Sequence, residues 1–247
     1  MVSGADWIPY CGQAPLPGDW LGRWNLDPLL MLFLIGGILF WRRLVGPALF
    51  EQRGFWTAVA LLVLLFVSPF CALSSALFSA RVAHHVLLTV AVAPLLAFSL
   101  GSGVPRSLGS LSFWTAVQAL IFWAWHLPAA YAAALSNDFT YWAMQASLLA
   151  SAFAFWSAIQ RASQPASVAC LLVSMVQMGL LGALVTFAAA PLYAPHFETT
   201  GPWGLAPLED QQLGGLIMWV PSAGVYLGST LVIAHRWLAD EDRVTAQ

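Results

Sequence analysis

Seven long apolar stretches dominate this 247-residue chain and decide what it can fold into. A helix needs about 20 apolar residues to cross a bilayer, and each stretch has roughly that length. The composition agrees, because 60% of the residues are apolar, only 8% are charged and the mean hydropathy is +0.77. We therefore predict an all-α, polytopic bundle of seven transmembrane helices. The predicted spans are roughly residues 28–45, 54–73, 81–101, 112–135, 139–159, 166–189 and 211–235.

The arginines predict the orientation of the chain, because it contains no lysine. Seven of the nine arginines flank loops on one side, and the positive-inside rule makes that side cytoplasmic. The topology is then N-out, C-in. It divides the chain into an extracytoplasmic segment (1–25), a transmembrane domain (26–237) and a cytoplasmic tail (238–247). The seven arginines are Arg42, Arg43, Arg53, Arg106, Arg161, Arg236 and Arg243.

Cysteine content and net charge exclude several classes of protein. Cys11, Cys71 and Cys170 are far apart and form no paired motif, so the sequence indicates neither a disulfide framework nor a zinc site. Cys11 is expected as a lone thiol on the oxidising face, either incidental or a copper ligand. A net charge of −2 without a basic run argues against nucleic acid as a partner. The absence of lysine excludes a retinal Schiff base, which needs a lysine amine.

The polar residues of the predicted spans fall at one depth, near the outer surface. Arg81, His84 and His85 begin the third span, and His126 lies in the outer third of the fourth. Arg81 and His85 are four residues apart and share a helix face. Ionisable residues inside a membrane are costly unless paired or solvated, so they are candidates for function. Other polar or soft side chains expected at this depth are Asp27, Met144, Gln145, Asp210 and Gln211.

Three roles are open for this group. Histidines that line one cavity beside a methionine indicate a site for a soft or borderline metal such as copper. Paired histidines also ligate haem, and His85 and His126 on neighbouring helices suit that role. The alternative for the charged residues is a structural ion pair of Arg81 with Asp27 or Asp210.

Several strings along the chain resemble one family. Taken in order along the chain, the strings resemble the CtaG family of cytochrome c oxidase assembly factors, which was first associated with caa-type oxidases. The resemblance covers roughly residues 25–230. The strings are Asp27-Pro28, Ser68-Pro69, Ser79-Ala80 through His85 with Ala93-Pro94, Trp125-His126-Leu127-Pro128 with Tyr131, LLGALVTFA at 180–188 with Pro191-Leu192-Tyr193, and DQQLGGLIMWVP at 210–221 with Tyr226.

The resemblance implies a non-enzymatic assembly factor of the bacterial inner membrane, a metallochaperone in respiratory-chain biogenesis. It would help to deliver copper to the catalytic subunit of a haem-copper cytochrome c oxidase from the outer face. Its partners would be that subunit and a periplasmic copper donor. His85 and His126 would bind copper, with His84 or Met144 completing the site. The supporting polar cluster would be Asp27, Arg81, Gln145, Asp210 and Gln211.

The chain also departs from the family pattern. The family tends to have His where this chain has Arg81, Gln where it has His84, and an acidic residue followed by His near Met144-Gln145. A methionine ligand would favour Cu(I) over Cu(II) or zinc. The other interpretation is that the shared cavity is not a metal site. A haem-binding membrane redox protein and a transporter of a small solute or metal are the competing functions.

Overall fold

The computed structural model describes residues 9–46, 52–100 and 109–245, with side chains up to residue 240. Arg106 lies outside the described residues, and so does the side chain of Arg243. Helices and loops account for the described ranges, in which no strand occurs, so the predicted all-α class is confirmed. The helices are α1 (Pro28–Val45), α2 (Arg53–Phe66), α3 (Pro69–Ala76), α4 (Phe78–Leu100), α5 (Leu111–His126), α6 (Pro128–Ser136), α7 (Asp138–Ile159), α8 (Gln164–Thr186) and α9 (Pro207–Thr245).

The helices match the predicted spans, with two of the spans sharply bent. Five helices are long and apolar enough to cross a membrane, and the number is seven when each bent pair counts as one span. The α2–α3 pair bends by 50° and the α5–α6 pair by 74°. The second helix of each bent pair begins with a proline, Pro69 in α3 and Pro128 in α6. Proline has no N–H to continue the hydrogen bonding of the preceding helix. The chain is thus a multi-pass membrane protein.

A π-helical turn interrupts α4 one turn after its histidines. It covers Leu88–Val92, and the N–H of Ala93 donates to the carbonyl of Leu88 five residues back. Pro94 follows directly and has no N–H to donate to an earlier carbonyl. The side chain of Trp156 on α7 then donates to the Thr89 carbonyl at 3.1 Å. Turns of this kind often lie next to functional sites.

The close contact between α8 and α9 depends on glycine. A Cβ added to Gly215 would lie 2.7 Å from the Gly182 carbonyl oxygen, and one added to Gly182 would lie 2.9 Å from the Gly215 oxygen. Gly214 faces Phe78 at the start of α4, with 2.7 Å between its added Cβ and the ring. Glycine therefore lets α9 approach both α8 and α4, as small residues do in membrane bundles.

A disulfide fastens the N-terminal segment onto the bundle. Cys11 and Cys71 are bonded, with Cα atoms 5.4 Å apart and a sequence separation of 60, so the prediction of unpaired cysteines was wrong. The segment folds back because Asn25 bonds the end of α2, its N–H donating to the Val67 carbonyl at 2.9 Å. Its Tyr10 ring stacks on Tyr141 of α7, with ring centroids 5.0 Å apart. Cysteines distant in sequence thereby become neighbours.

Candidate functional site

Three imidazoles meet inside the bundle. The ring centroids of His84 and His85 on α4 lie 5.9 Å apart, and those of His85 and His126, at the end of α5, lie 5.7 Å apart. All three side chains are buried, with His126 the most exposed at 4%. The predicted convergence of the histidines is therefore observed. We call these residues the imidazole cluster.

The end of α5 fixes the orientation of His126. The helix stops there because Leu127 adopts the extended conformation favoured before proline. The His126 Nδ1 lies 2.7 Å from the Phe122 carbonyl oxygen, and its ring stacks on Phe122 with centroids 4.5 Å apart. A carbonyl only accepts, so this bond assigns the ring hydrogen to Nδ1. The Nε2 lone pair is then free, and Nε2 has no hydrogen-bond partner.

Other polar atoms of this region are also buried without partners. Neither ring nitrogen of His85 is hydrogen-bonded. His84 and Gln145 form no hydrogen bond of good geometry, although the Leu65 backbone lies close to His84 and the Tyr141 hydroxyl lies close to Gln145. Met144, the preceding residue, is fully buried. Most buried polar groups in proteins are paired, since each unpaired one costs roughly 1–3 kcal/mol. The unpaired ring nitrogens of His85 and the Nε2 of His126 therefore mark a candidate binding site.

Arg81 lies beside the cluster, and no acidic side chain in the described part of the chain forms an ion pair with it. It is fully buried, its Nε donates to the Ser74 carbonyl at 3.1 Å, and its Cζ lies 5.3 Å from the Tyr141 ring centroid. Nη1 and Nη2 form no hydrogen bond of good geometry, but the hydroxyls of Tyr131 and Tyr141 lie within hydrogen-bonding reach of the guanidinium. The ion pair between Arg23 and Asp19, in contrast, lies at the surface.

Asp210 is a helix cap rather than the counter-ion of Arg81. Its carboxylate accepts from the N–H groups of Phe78, at 2.6 Å, and Ser79, at 3.2 Å, and from the Ser79 hydroxyl. The residue before α4, Leu77, has no side chain that could cap it. The first residues of α9 therefore cap α4 from outside. The alternative of an ion pair between Asp210 and Arg81 was wrong.

Two other members of the supporting polar cluster also hold chain segments in place. Gln211 accepts from the Leu192 N–H at 2.6 Å and donates to the Val185 carbonyl at 3.1 Å, which joins the end of α8 to the following loop. Asp27 caps α1 and accepts from the Tyr10 hydroxyl at 2.6 Å, so it does not pair with Arg81 either. The Tyr10 hydrogen bond and then the α1 N–H bond lower the pKa of Asp27.

The loop between α8 and α9 supplies residues that sequence reasoning missed. The Tyr193 hydroxyl donates to the His126 carbonyl at 2.9 Å. His196 is 2% exposed, with Nδ1 3.2 Å from the Ala76 carbonyl and Nε2 2.6 Å from the Tyr131 hydroxyl. Burial, and then the charge of Arg81, lower the pKa of His196 to about 3. The loop lies between the predicted spans 166–189 and 211–235, so the sequence predicts it outside the membrane. A loop has no periodic hydrophobic pattern, and its sequence therefore did not indicate that Tyr193 and His196 are buried.

His85 and His126 are the best-placed candidate ligands for a metal ion in this region. Within residues 9–46, 52–100 and 109–245, no group of three or more His, Cys, Asp or Glu side chains is arranged to hold a metal ion. A soft or borderline ion would have the free nitrogens of His85 and His126, with the thioether of Met144 as a further candidate. Cys11 is committed to the disulfide.

The fold and this cluster define a class, namely multi-pass α-helical membrane proteins with polar side chains gathered among their helices. The family model for the cytochrome c oxidase caa3 assembly factor (Caa3_CtaG) matches residues 31–240. The chain belongs to this family, which confirms the resemblance carried by its sequence strings. Comparisons with curated proteins and with solved structures found no match. Family membership indicates that the protein takes part in cytochrome c oxidase assembly.

Proposed function

We propose that this protein is a non-enzymatic assembly factor that binds Cu(I) between His85 and His126 and passes it to the oxidase catalytic subunit. The observation that carries the proposal is the bare Nε2 of His126, buried, oriented by the Nδ1 bond to Phe122 and without a partner. Metal-binding histidines commonly donate their other ring N–H to a carbonyl in this way.

The spacing of the two rings suits a two-coordinate ion. Two metal–nitrogen bonds of about 2 Å, with about 1.1 Å from each nitrogen to its ring centre, place the centroids about 6 Å apart at most. The observed separation is 5.7 Å. Cu(I) accepts two ligands, whereas structural zinc prefers four. His84 or Met144 would complete the site when the ion enters or leaves.

The proposed direction of transfer is from the outer face of a bacterial cytoplasmic membrane. The Cys11–Cys71 disulfide supports this orientation, because disulfides persist in oxidising compartments such as the periplasm. The arginine distribution supports a cytoplasmic assignment for the opposite face. A periplasmic donor would supply the ion, and the oxidase subunit would receive it within the membrane.

The test replaces the two ligands in the bacterial host. Oxidase purified from a strain with the His85→Ala, His126→Ala double variant should keep its haem and lose copper from the catalytic centre. His235→Ala is the matched control, because that histidine is exposed on α9 far along the helix from the site. Normal oxidase copper, with the double variant present at wild-type levels, would contradict the ligand assignment.

A spectrum of the purified protein separates the proposal from the haem alternative. We expect no Soret band and a Cu(I) content near one ion per chain, lost in the double variant. A Soret band that disappears with His85→Ala would instead make the protein a haem carrier.

A further inference from the structure

A cavity opens at the end of the bundle opposite the imidazole cluster. It has a volume of about 590 Å³ and lies between the end of α7, the start of α8 and the second half of α9. The imidazole cluster lies near the other end of α8, where Tyr193 of the following loop bonds the His126 carbonyl. The metal site proposed above therefore does not use this cavity. Its volume falls within the roughly 300–1,000 Å³ of small-molecule sites.

Two glycines of α9 keep the cavity open. Gly224 and Gly228 both line it, and a Cβ added to either one would meet no atom within 4 Å. Gly215, two turns or more earlier on the same helix, differs because its added Cβ would meet α8. Small residues four apart on a membrane helix let another chain approach the helix backbone closely. Nothing in the described part of the protein takes that place beside α9.

The polar residues of the cavity gather at one end of it. Gln160 follows the end of α7, Gln164 begins α8, and Arg236 lies on the last part of α9. The remaining lining is mostly apolar and includes Trp156 and Val225. The cavity therefore has the polarity of an amphiphile, with a polar end and an apolar trough.

The polar end is positively charged. Arg236 lines the cavity, and Arg161 directly follows the lining residue Gln160. The helix dipole of α8 adds to this charge, because α8 begins here and the side chain of Ser163 before it forms no capping hydrogen bond. No acidic side chain lines the cavity, and none in the described ranges forms an ion pair with either arginine. This end of the cavity therefore favours an anion.

The length of the trough matches one leaflet of a bilayer. From Gly224 to Arg236 an α-helix rises about 18 Å, at about 1.5 Å per residue. Half of the hydrocarbon core of a membrane is about 15 Å thick. Gly224 also lies at the middle of the predicted span 211–235, and Arg236 directly follows its end. The charged end of the cavity is therefore at the headgroup level and the glycines are nearer the bilayer centre.

We propose that this cavity binds one anionic phospholipid, with its phosphate at Arg236 and an acyl chain beside Gly224 and Gly228. Basic pockets between membrane helices bind anionic headgroups in the same way. A free phosphate ion would leave the apolar trough empty. An apolar helix of another protein would cover the glycines but would supply no negative charge to Arg236. A phospholipid satisfies both ends of the cavity, and it would join the ends of α7, α8 and α9.

The experiment measures lipid binding to the purified, delipidated protein by native mass spectrometry. Dioleoylphosphatidylglycerol, which is anionic, is compared with dioleoylphosphatidylcholine, which has the same acyl chains and a zwitterionic headgroup. The wild-type protein should bind one phosphatidylglycerol at least ten-fold more tightly than phosphatidylcholine. Arg236→Gln should reduce this preference to less than three-fold. Arg23→Gln is the control, because that arginine is paired with Asp19 outside the cavity, and it should keep the wild-type preference.

A second pair of variants tests the apolar trough. Gly228→Leu fills the space beside α9 and should weaken the binding of both lipids at least ten-fold. Ala169→Leu is its control, because Ala169 is exposed on α8 and does not line the cavity, so binding should match wild type. If Gly228→Leu fails to fold, Arg236→Gln and the cross-link described next decide the question.

Three results would overturn the proposal. The first is equal affinity of the wild-type protein for the two lipids, or an unchanged preference in Arg236→Gln. The second is displacement of phosphatidylglycerol by millimolar inorganic phosphate, which would make the site one for free phosphate. The third comes from a photo-crosslinking residue placed at Val232, which lines the cavity and should label phospholipid in native membranes. An adduct with another protein would assign the trough to a partner helix instead. None of these measurements involves copper, so they stand or fall separately from the proposed metal site.

Discussion

Removal of the Asp210 carboxylate should destabilise the protein far more than removal of an exposed one. Asp210 accepts two backbone N–H bonds and one hydroxyl bond at the start of α4. A hydrogen bond to a charged group contributes roughly 1.5–3 kcal/mol, and a buried donor left unpaired costs roughly 1–3 kcal/mol. These terms overlap, so Asp210→Ala should lower the free energy of unfolding by about 4 kcal/mol.

Graded variants test the hydrogen-bond explanation. Asp210→Asn keeps one acceptor oxygen without the charge, so it should cost about 2 kcal/mol, half the loss in Asp210→Ala. The measurement is reversible unfolding of the purified protein in mixed micelles, followed by tryptophan fluorescence. Asp19→Ala is the control, because Asp19 also accepts a backbone N–H, from Leu16, but is exposed, and it should match wild type. A loss in Asp210→Ala of less than about 1 kcal/mol would refute the capping role.

The same unfolding assay tests three further features. Cys11→Ser opens a disulfide that spans 60 residues and should cost up to about 4 kcal/mol, whereas Cys170→Ser removes a free thiol and should be neutral. Gly215→Ala places a Cβ 2.7 Å from a backbone oxygen of α8 and should cost about 1–3 kcal/mol, whereas Gly228→Ala enters open space and should not destabilise. Burial lowers the pKa of His196 from 6.5 to about 3, so below pH 6.5 the unfolded state binds the proton that the folded state refuses. The contribution of His196 to the free energy of unfolding is therefore complete above pH 6.5 and falls by about 1.4 kcal/mol per pH unit between pH 6.5 and pH 3. His196→Gln should remove this part of the pH dependence of the free energy of unfolding.

The chain's spans were predictable because bilayer crossing leaves a plain signal in sequence. Each apolar stretch corresponds to a helix or to a bent pair that begins again at a proline, as at Pro69 and Pro128. The meeting of His84, His85 and His126 was also predictable. Topology assigns each helix end to a side of the membrane, and that places residues at a common depth.

Contacts between distant segments were not predictable in the same way. The Cys11–Cys71 bond, the capping of α4 by Asp210 and the burial of His196 each join parts of the chain that share no periodic pattern. The sequence offered Arg81 two acids as partners, and neither pairs with it.

The sequence by itself therefore determined which stretches form apolar helices and at what depth the polar residues lie, because hydrophobic length and periodicity are local properties. Only the tertiary structure decided which polar groups found partners, because hydrogen bonds depend on ångström distances between side chains of different helices. The buried Nε2 of His126, for example, has no hydrogen-bond partner in the structure.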